Sequence, residues 1–247
     1  MGTLSLLALL ALPADPAAAL AEVDARARAL ESVRYVANRT TDQGQIHAEE
    51  RWVFASEPGG KFRVDYVGDT PRQVACDGRV LWDYIPSMHA AQRIELSAMP
   101  KEQAASILAG VLDRVTIPGL RTGWQASGMS TIVWGDDSTV NGRPARTVIV
   151  TDERGGRLSF TLDVAEGYLI SSKIEDHGVF VVSVEGADFR EVAPDVWVPS
   201  RVISTSPAPG GKVRVEVQLI QLVIGDDLPD QLFSLSLDPS VQVRRLP

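Results

Sequence analysis

The sequence predicts an α+β fold that is mainly antiparallel β, and three observations carry that reading. Residues 146–224 read as five consecutive strands rich in β-branched side chains, separated by short turns such as Arg154-Gly155-Gly156, Glu166-Gly167 and Asp176-His177-Gly178, the signature of a meander. Residues 33–85 repeat the pattern with strict alternation, Phe62, Val64 and Tyr66 on one side and Arg63 and Asp65 on the other, so one face of each strand seeks a core. Between the two β regions, residues 100–115 carry a single apolar helical stripe. An antiparallel sheet of about ten strands curls rather than staying flat. The chain of 247 residues, 45% hydrophobic and 23% charged, is long enough for one large domain of this kind.

The N-terminal stretch 4–12 is apolar almost throughout, but far shorter than the roughly 20 residues that span a bilayer. It resembles the core of a secretory signal without a preceding Lys or Arg, and cleavage after Ala14, or after Ala21 with Ala19 at the small-residue position, suits a signal peptidase. The alternative is a buried apolar helix. We therefore expect residues 1–21 to be a signal-like segment and 22–247 a single exported, periplasmic domain. No cysteine follows the apolar run, which argues against a lipid anchor on this chain.

Residues 15–32 read as a helix, with Asp15 as cap, Pro16 in the first turn, and Leu20, Val23, Ala27 and Leu30 at helical spacing. The next strand starts at Val33 and is expected to turn at Thr41-Asp42-Gln43-Gly44. In the strand that follows, Ile46, Ala48, Trp52 and Phe54 share a face with Glu50, opposite His47, Glu49 and Arg51. Glu57-Pro58-Gly59-Gly60 and Asp77-Gly78 make the subsequent hairpins. The helical stripe at 100–115 comprises Ala104, Ile107, Leu108, Val111, Leu112 and Val115, with Glu102 and Arg114 placed to suit the helix dipole. Residues 116–130 form an irregular loop holding Trp124, either a plug or a functional contact.

Chemistry is sparse. Lys and Arg number 24 against 32 Asp and Glu, a net charge of -8 that argues against nucleic acid and against a polybasic membrane dock. Cys76 is the single cysteine, so there is no internal disulfide, and it reads as a small core residue. His47, His89 and His177 lack ligand spacing, and no metal is expected. Glu49 and Glu50 are adjacent in a strand and point to opposite faces, so they cannot flank one bond. Glu50, on the apolar face, is expected to pair with an arginine, to sit at a wet rim, or to meet a ligand headgroup. Asp136-Asp137 and Asp226-Asp227 read as turn chemistry. With no phosphate-cradling loop and no nucleophile elbow, no catalytic residue and no cofactor are expected.

The run Cys76-Asp77-Gly78-Arg79-Val80-Leu81-Trp82-Asp83-Tyr84-Ile85-Pro86, followed six residues later by Gln92, resembles the Asp-Gly-Lys-x-Leu-Trp-x-Tyr-x-Pro stretch of the LolA-like periplasmic lipoprotein carriers. Trp52-Val53-Phe54 and residues 58–64 are similar to that family's tryptophan strand, proline turn and Phe-Arg-Trp strand. Residues 228–233 with Pro239-Ser240-Val241 are similar to its closing segment. The resemblance covers about residues 20–245, the span of one domain. It implies a strongly curved, unclosed half-barrel sheet with helices covering the concave face. The family's arginine before the hairpin proline, which helps hold the lid to the sheet, is Glu57 here, and its Phe-Arg-Trp tryptophan is Val64.

The implied function is that of a non-enzymatic carrier or binder of a lipid or of lipoprotein acyl chains. The expected cavity lining is Trp52, Phe54, Phe62, Val64, Tyr66, Leu81, Trp82, Tyr84, Ile107, Leu108, Val111 and Leu112, with the helix at 100–115 as lid. The expected partners are a lipid or lipidated protein and a membrane-anchored protein, with the carrier itself a monomer. The alternative on the same scaffold is an envelope-stress sensor of the RseB type that acts through protein contacts.

Overall fold

The computed structural model describes residues 12–28, 30, 32–112, 115, 117, 120, 122, 124, 131–225 and 227–246. The apolar residues 4–11, Arg114, Asp226 and most of the loop 116–130 lie outside them. In chain order the elements are α1 (Pro16–Arg28), β1 (Val33–Gln43), β2 (Ile46–Glu57), β3 (Lys61–Val67), β4 (Arg72–Asp77), β5 (Val80–Ile85) and β6 (Ala90–Glu95). Then come α2 (Lys101–Leu112), β7 (Thr131–Val140), β8 (Arg143–Thr151), β9 (Gly156–Asp163), β10 (Leu169–Asp176) and β11 (Val179–Ala193). The chain continues with β12 (Val196–Ala208), β13 (Gly211–Ile224) and β14 (Gln242–Leu246). The strand order is β14-β6-β5-β4-β3-β2-β1-β13-β12-β11-β10-β9-β8-β7. Consecutive strands pair antiparallel from β1 to β6 and from β7 to β12, β14 joins β6 in parallel, and β14 and β7 are the ends of the order, so the sheet is unclosed.

The chain forms two compact units, Met1–Ala29 with Pro118–Arg214, and Leu30–Ile117 with Val215–Pro247. They are called here the α1 unit and the α2 unit.

In the α1 unit, Ala19, Leu20 and Val23 of α1 pack with Val148, Val150, Leu158, Phe160, Leu162 and Leu169. Asp24 is buried on α1, and its carboxylate accepts from the Thr122 amide at 2.7 Å and from the Thr122 hydroxyl at 2.8 Å, so this buried charge is satisfied. Trp124 packs half-buried against the same cluster, which makes it part of the core beside α1. Leu169 faces this core, whereas its neighbours Tyr168 and Ile170 belong to a second cluster with Ala145, Phe189 and Trp197. Alternation along β10 requires that division.

Asp163, 1% exposed, ends β9 and holds the tight turn to Tyr168. Its carboxylate accepts from Arg143 Nε at 2.6 Å and from the amides of Ala165 and Glu166 at 2.9 Å each. Burial alone would raise its pKa, but the Arg143 guanidinium and the two amides outweigh that and hold it below the usual carboxylate range. Such a group adds stability that is fully present above its unfolded pKa of about 3.9 and is lost as pH falls through the lower folded value. Asp163→Asn keeps an acceptor for the amides and loses the charge, so it lowers stability at neutral pH by about 1–2 kcal/mol. Urea midpoints measured from neutral pH down to about pH 2 should show a shallower acid limb in the variant. Equal acid limbs in the two proteins would overturn this account.

In the α2 unit, register assigns every side chain a face. Trp52 lies opposite Ala37 and Tyr66, Phe54 opposite Tyr35 and Val64, and Phe62 opposite Ser56 and Cys76. Cys76 in turn faces Leu81. Tyr35, Trp52, Phe54, Phe62, Val64, Val74, Cys76 and Leu81 are all buried on this tryptophan face. Burial pushes the Cys76 thiol pKa up, as suits a core residue.

The opposite face is covered by the C-terminal segment. Phe233, 1% exposed, sits in a short 3₁₀ turn (Asp230–Phe233) against β3 and β4. Lys61 pairs with Asp230 at 2.5 Å and Arg63 donates to the Leu232 carbonyl at 3.3 Å. Glu57 accepts from the Leu228 amide at 3.1 Å and lies 3.6 Å from Lys61. The position held by an arginine in the resembled carriers therefore fastens the C-terminal segment here.

Several expectations are corrected. Six strands, β8 to β13, occupy residues 143–224 where five were expected, because the two stretches flanking 207–211 are each full strands. α1 ends at Arg28, not at residue 32. β1 runs on through Thr41 and Asp42, since Gly44, with φ +59, supplies a tighter turn directly after Gln43. Asp136-Asp137 is not a turn between elements. It lies inside β7 at a bulge between Trp134 and Asp137, with Arg146 3.1 Å from Asp137. Strands β6 and β14 were not anticipated.

Candidate functional site

The tryptophan face of the α2 unit passes at one end into a cleft of about 660 Å³. Two ladder rows of that face build its floor, Arg39 with Glu50, and Trp52 with Tyr66 and Arg72. The β3–β4 hairpin, through Val67, Gly68, Asp69 and Thr70, forms one wall, and Glu49 and Arg51 complete the lining. A volume of this order is typical of sites for small organic ligands, roughly 300–1,000 Å³.

Two ion pairs mark this end. Glu50 lies 3.3 Å from Arg39, the arginine partner that its place on an apolar face demands. Arg72 makes a bidentate pair with Asp83, at 2.8 and 2.7 Å, and its guanidinium sits 5.9 Å from the Tyr66 ring centroid. The cleft thus runs from fixed polar groups to buried aromatic rings. Deeper on the same face, the Tyr35 hydroxyl and the Trp52 indole N–H are buried beside one another. Burial pushes the Tyr35 phenol pKa up, so it stays protonated as a donor.

The twelve residues expected to line a cavity do not form one set. Trp52, Phe54, Phe62, Val64 and Leu81 share the tryptophan face at 0–4% exposure, and Tyr66 joins them half-buried. Trp52 and Tyr66 reach the cleft. Trp82 and Tyr84 lie on the other face, where Trp82 is opposite Ala75 and Arg93, with the Arg93 guanidinium 5.5 Å from its ring. Adjacent strand residues cannot share a face, so Leu81 and Trp82 had to separate. Ile107, Leu108, Val111 and Leu112 are all half-buried on α2, none of whose side chains is fully buried. The stripe is partly covered while Glu102, Gln103, Ala105, Ser106, Ala109 and Gly110 are exposed.

Sequence reasoning missed Arg39, Arg72 and Asp83 as site residues. The signal was available in the alternation, since Arg39 keeps the parity of Tyr35 and Ala37, and Arg72 that of Val74 and Cys76.

No family model and no curated protein matches the sequence. Solved structures do. A LolA superfamily protein from Nitrosomonas europaea superposes with a TM-score of 0.56 at 14% identity, over 90% of this chain and 99% of its own. The fold is LolA-like. A Vibrio parahaemolyticus domain described as an outer membrane lipoprotein-sorting protein matches the LolA-like fold at TM-score 0.55 and 14% identity, over 87% of this chain and 94% of its own. A DUF1329 family protein from Desulfovibrio piger matches it at 0.56 and 12%, over 89% and 98%. At such identities the LolA-like assignment is one of fold.

Proposed function

We propose that the protein is a non-enzymatic, periplasmic carrier or binder of a lipid or of lipoprotein acyl chains, taken up on the tryptophan face of the α2 unit beneath α2. The observation that carries the reading is the row Trp52–Tyr66–Arg72, where a largely apolar face gives way to a cleft of about 660 Å³ with charged residues in its lining. An amphiphile has the same gradient. Its chain would replace side-chain contacts along Phe54, Val64 and Phe62, each buried CH₂ contributing about 0.8 kcal/mol. An ester or amide carbonyl would accept from the Tyr35 hydroxyl, a buried donor on this face. In this reading α2 is the lid that moves on uptake, and its half-buried stripe suits an element that is readily displaced.

The likeness to LolA-type structures supports this reading at the level of fold, and the apolar segment at 4–12 supports export. Native mass spectrometry of protein isolated from a bacterial envelope fraction should show a bound lipid. Delipidated protein should take up a fluorescent fatty acid saturably. Protein that arrives empty and shows no saturable uptake would overturn the carrier, whereas co-isolation of a membrane-anchored protein instead of lipid would favour a sensor.

A further inference from the structure

The α1 unit contains a second cleft, on the sheet face turned away from α1, that the carrier reading does not use. It measures about 310 Å³, and its lining includes Tyr168, Phe189 and Trp197 with Arg143, Asp188 and Arg201. Tyr168 stacks on Phe189 with ring centroids 4.3 Å apart and lies 5.6 Å from Trp197. Asp163, buried behind the row, fixes the Arg143 guanidinium 5.7 Å from the Tyr168 ring and 6.0 Å from the Trp197 ring. Arg201 lies 3.3 Å from Asp188.

The backbone is strained to build this wall. Asp188 has φ +54 in the middle of the 15-residue strand β11, whereas the other described non-glycine residues with positive φ lie in turns. A left-handed residue inside a strand is costly, and pairing with β12 keeps one register from Ala187 to Phe189 on either side of it. Two positions earlier, a Cβ on Gly186 would meet Phe189 Cζ at 2.5 Å and Pro199 Cβ at 3.1 Å. Gly186 and Asp188 together let Phe189 fold onto Tyr168, and nothing in the packing of the α1 core on the other face calls for that arrangement.

Charge decides the ligand class. A cationic guest is disfavoured because the Arg143 guanidinium stands beside the Tyr168 and Trp197 rings. An anionic guest finds no surplus positive charge, since Arg143 is matched by Asp163, with Glu166 at 3.9 Å, and Arg201 by Asp188. What remains is a neutral ligand with apolar flat faces and many hydroxyls. The guanidinium groups donate, the Asp188 carboxylate accepts, and the Asn141 amide does both. We propose that this cleft is a saccharide-binding site, in which a pyranose ring lies against the half-buried Phe189 and Trp197, with the buried Tyr168 supporting Phe189, and its hydroxyls bond to Arg143, Asp188 and Arg201. The site stands independently of the lipid reading, because it lies in the other unit.

The test is a titration of the full chain with maltotriose, cellotriose and triacetylchitotriose, followed by Trp fluorescence and by amide NMR shifts. At least one should bind saturably below about 10 mM, with shifts confined to residues 141–143, 168–170, 187–189 and 197–201. Trp197→Ala should weaken that binding at least tenfold. Asp188→Gly is the discriminating variant, since glycine adopts the left-handed backbone without strain. It should lose at least tenfold in affinity while its melting temperature stays equal or rises. The proposal is overturned if none of the three sugars binds, if inorganic phosphate or tetramethylammonium saturates the site instead, or if Asp188→Gly binds as well as the parent.

Discussion

Leu108→Glu lowers the affinity for a fluorescent fatty acid by about a hundredfold and leaves the melting temperature of the ligand-free protein nearly unchanged. Both halves follow from α2. Its stripe is half-buried and none of its side chains is fully buried, so a carboxylate at 108 keeps access to water in the free protein and costs little. In the proposed complex the same position would close on an acyl chain. The lost leucine contact accounts for about 1.5–3 kcal/mol, and dehydration of the carboxylate adds to it, where each 1.4 kcal/mol is tenfold. Fluorescence titration of delipidated protein measures the first half and a thermal melt the second. Undiminished uptake together with a lower melting temperature would make α2 ordinary core and remove the lid from the mechanism.

Phe62→Ala has the largest expected effect on stability, a loss of about 3–5 kcal/mol. Phe62 is 1% exposed in the ladder between Ser56 and Cys76, with Leu81 across from Cys76. Its neighbours are held by backbone pairing on both sides, so the sheet cannot collapse into the space left behind, and the cavity penalty adds to the transfer penalty. Urea denaturation should show a lower midpoint with an unchanged slope. Val67→Ala, at a 53% exposed position three residues past Val64 on the same strand, should stay within about 0.5 kcal/mol. A loss of under about 1 kcal/mol for Phe62→Ala would mean that the tryptophan face is loosely filled rather than packed.

The contrast between Leu108 and Phe62 bears on what the sequence could convey. Alternation placed Trp52, Phe54, Phe62, Val64 and Tyr66 on one face, as the ladder has them, because a strand with period 2 leaves no freedom in that choice. It failed at Trp82 and Tyr84 only because their size was weighed above their parity. The hairpins at 58–60 and 78–79 were legible from glycine at positive φ, as at Gly59 and Gly78. β6 and β14 were not, since β14 gains its place by parallel pairing with a strand about 150 residues earlier, a relation that no local pattern encodes. Asp136-Asp137 misled because acidic pairs beside glycine favour turns, and the pairing of β7 with β8 overrode that preference locally. The paired charges of the cleft were half legible. Glu50 was conspicuous on its face, but its partner Arg39, just before the expected turn, was passed over although it keeps the parity of Tyr35 and Ala37.

Each compact unit is assembled from two stretches that are far apart in the chain, 1–29 with 118–214 and 30–117 with 215–247. In vectorial synthesis or translocation, residues 30–117 therefore emerge well before the strands that border β1 and β6. For the time it takes to deliver the intervening hundred or so residues, those two margins have unsatisfied amides and carbonyls and a greasy side without its cover. Such a chain folds slowly and late. Until residues 215–247 arrive, those margins are the places where two such chains would associate edge to edge.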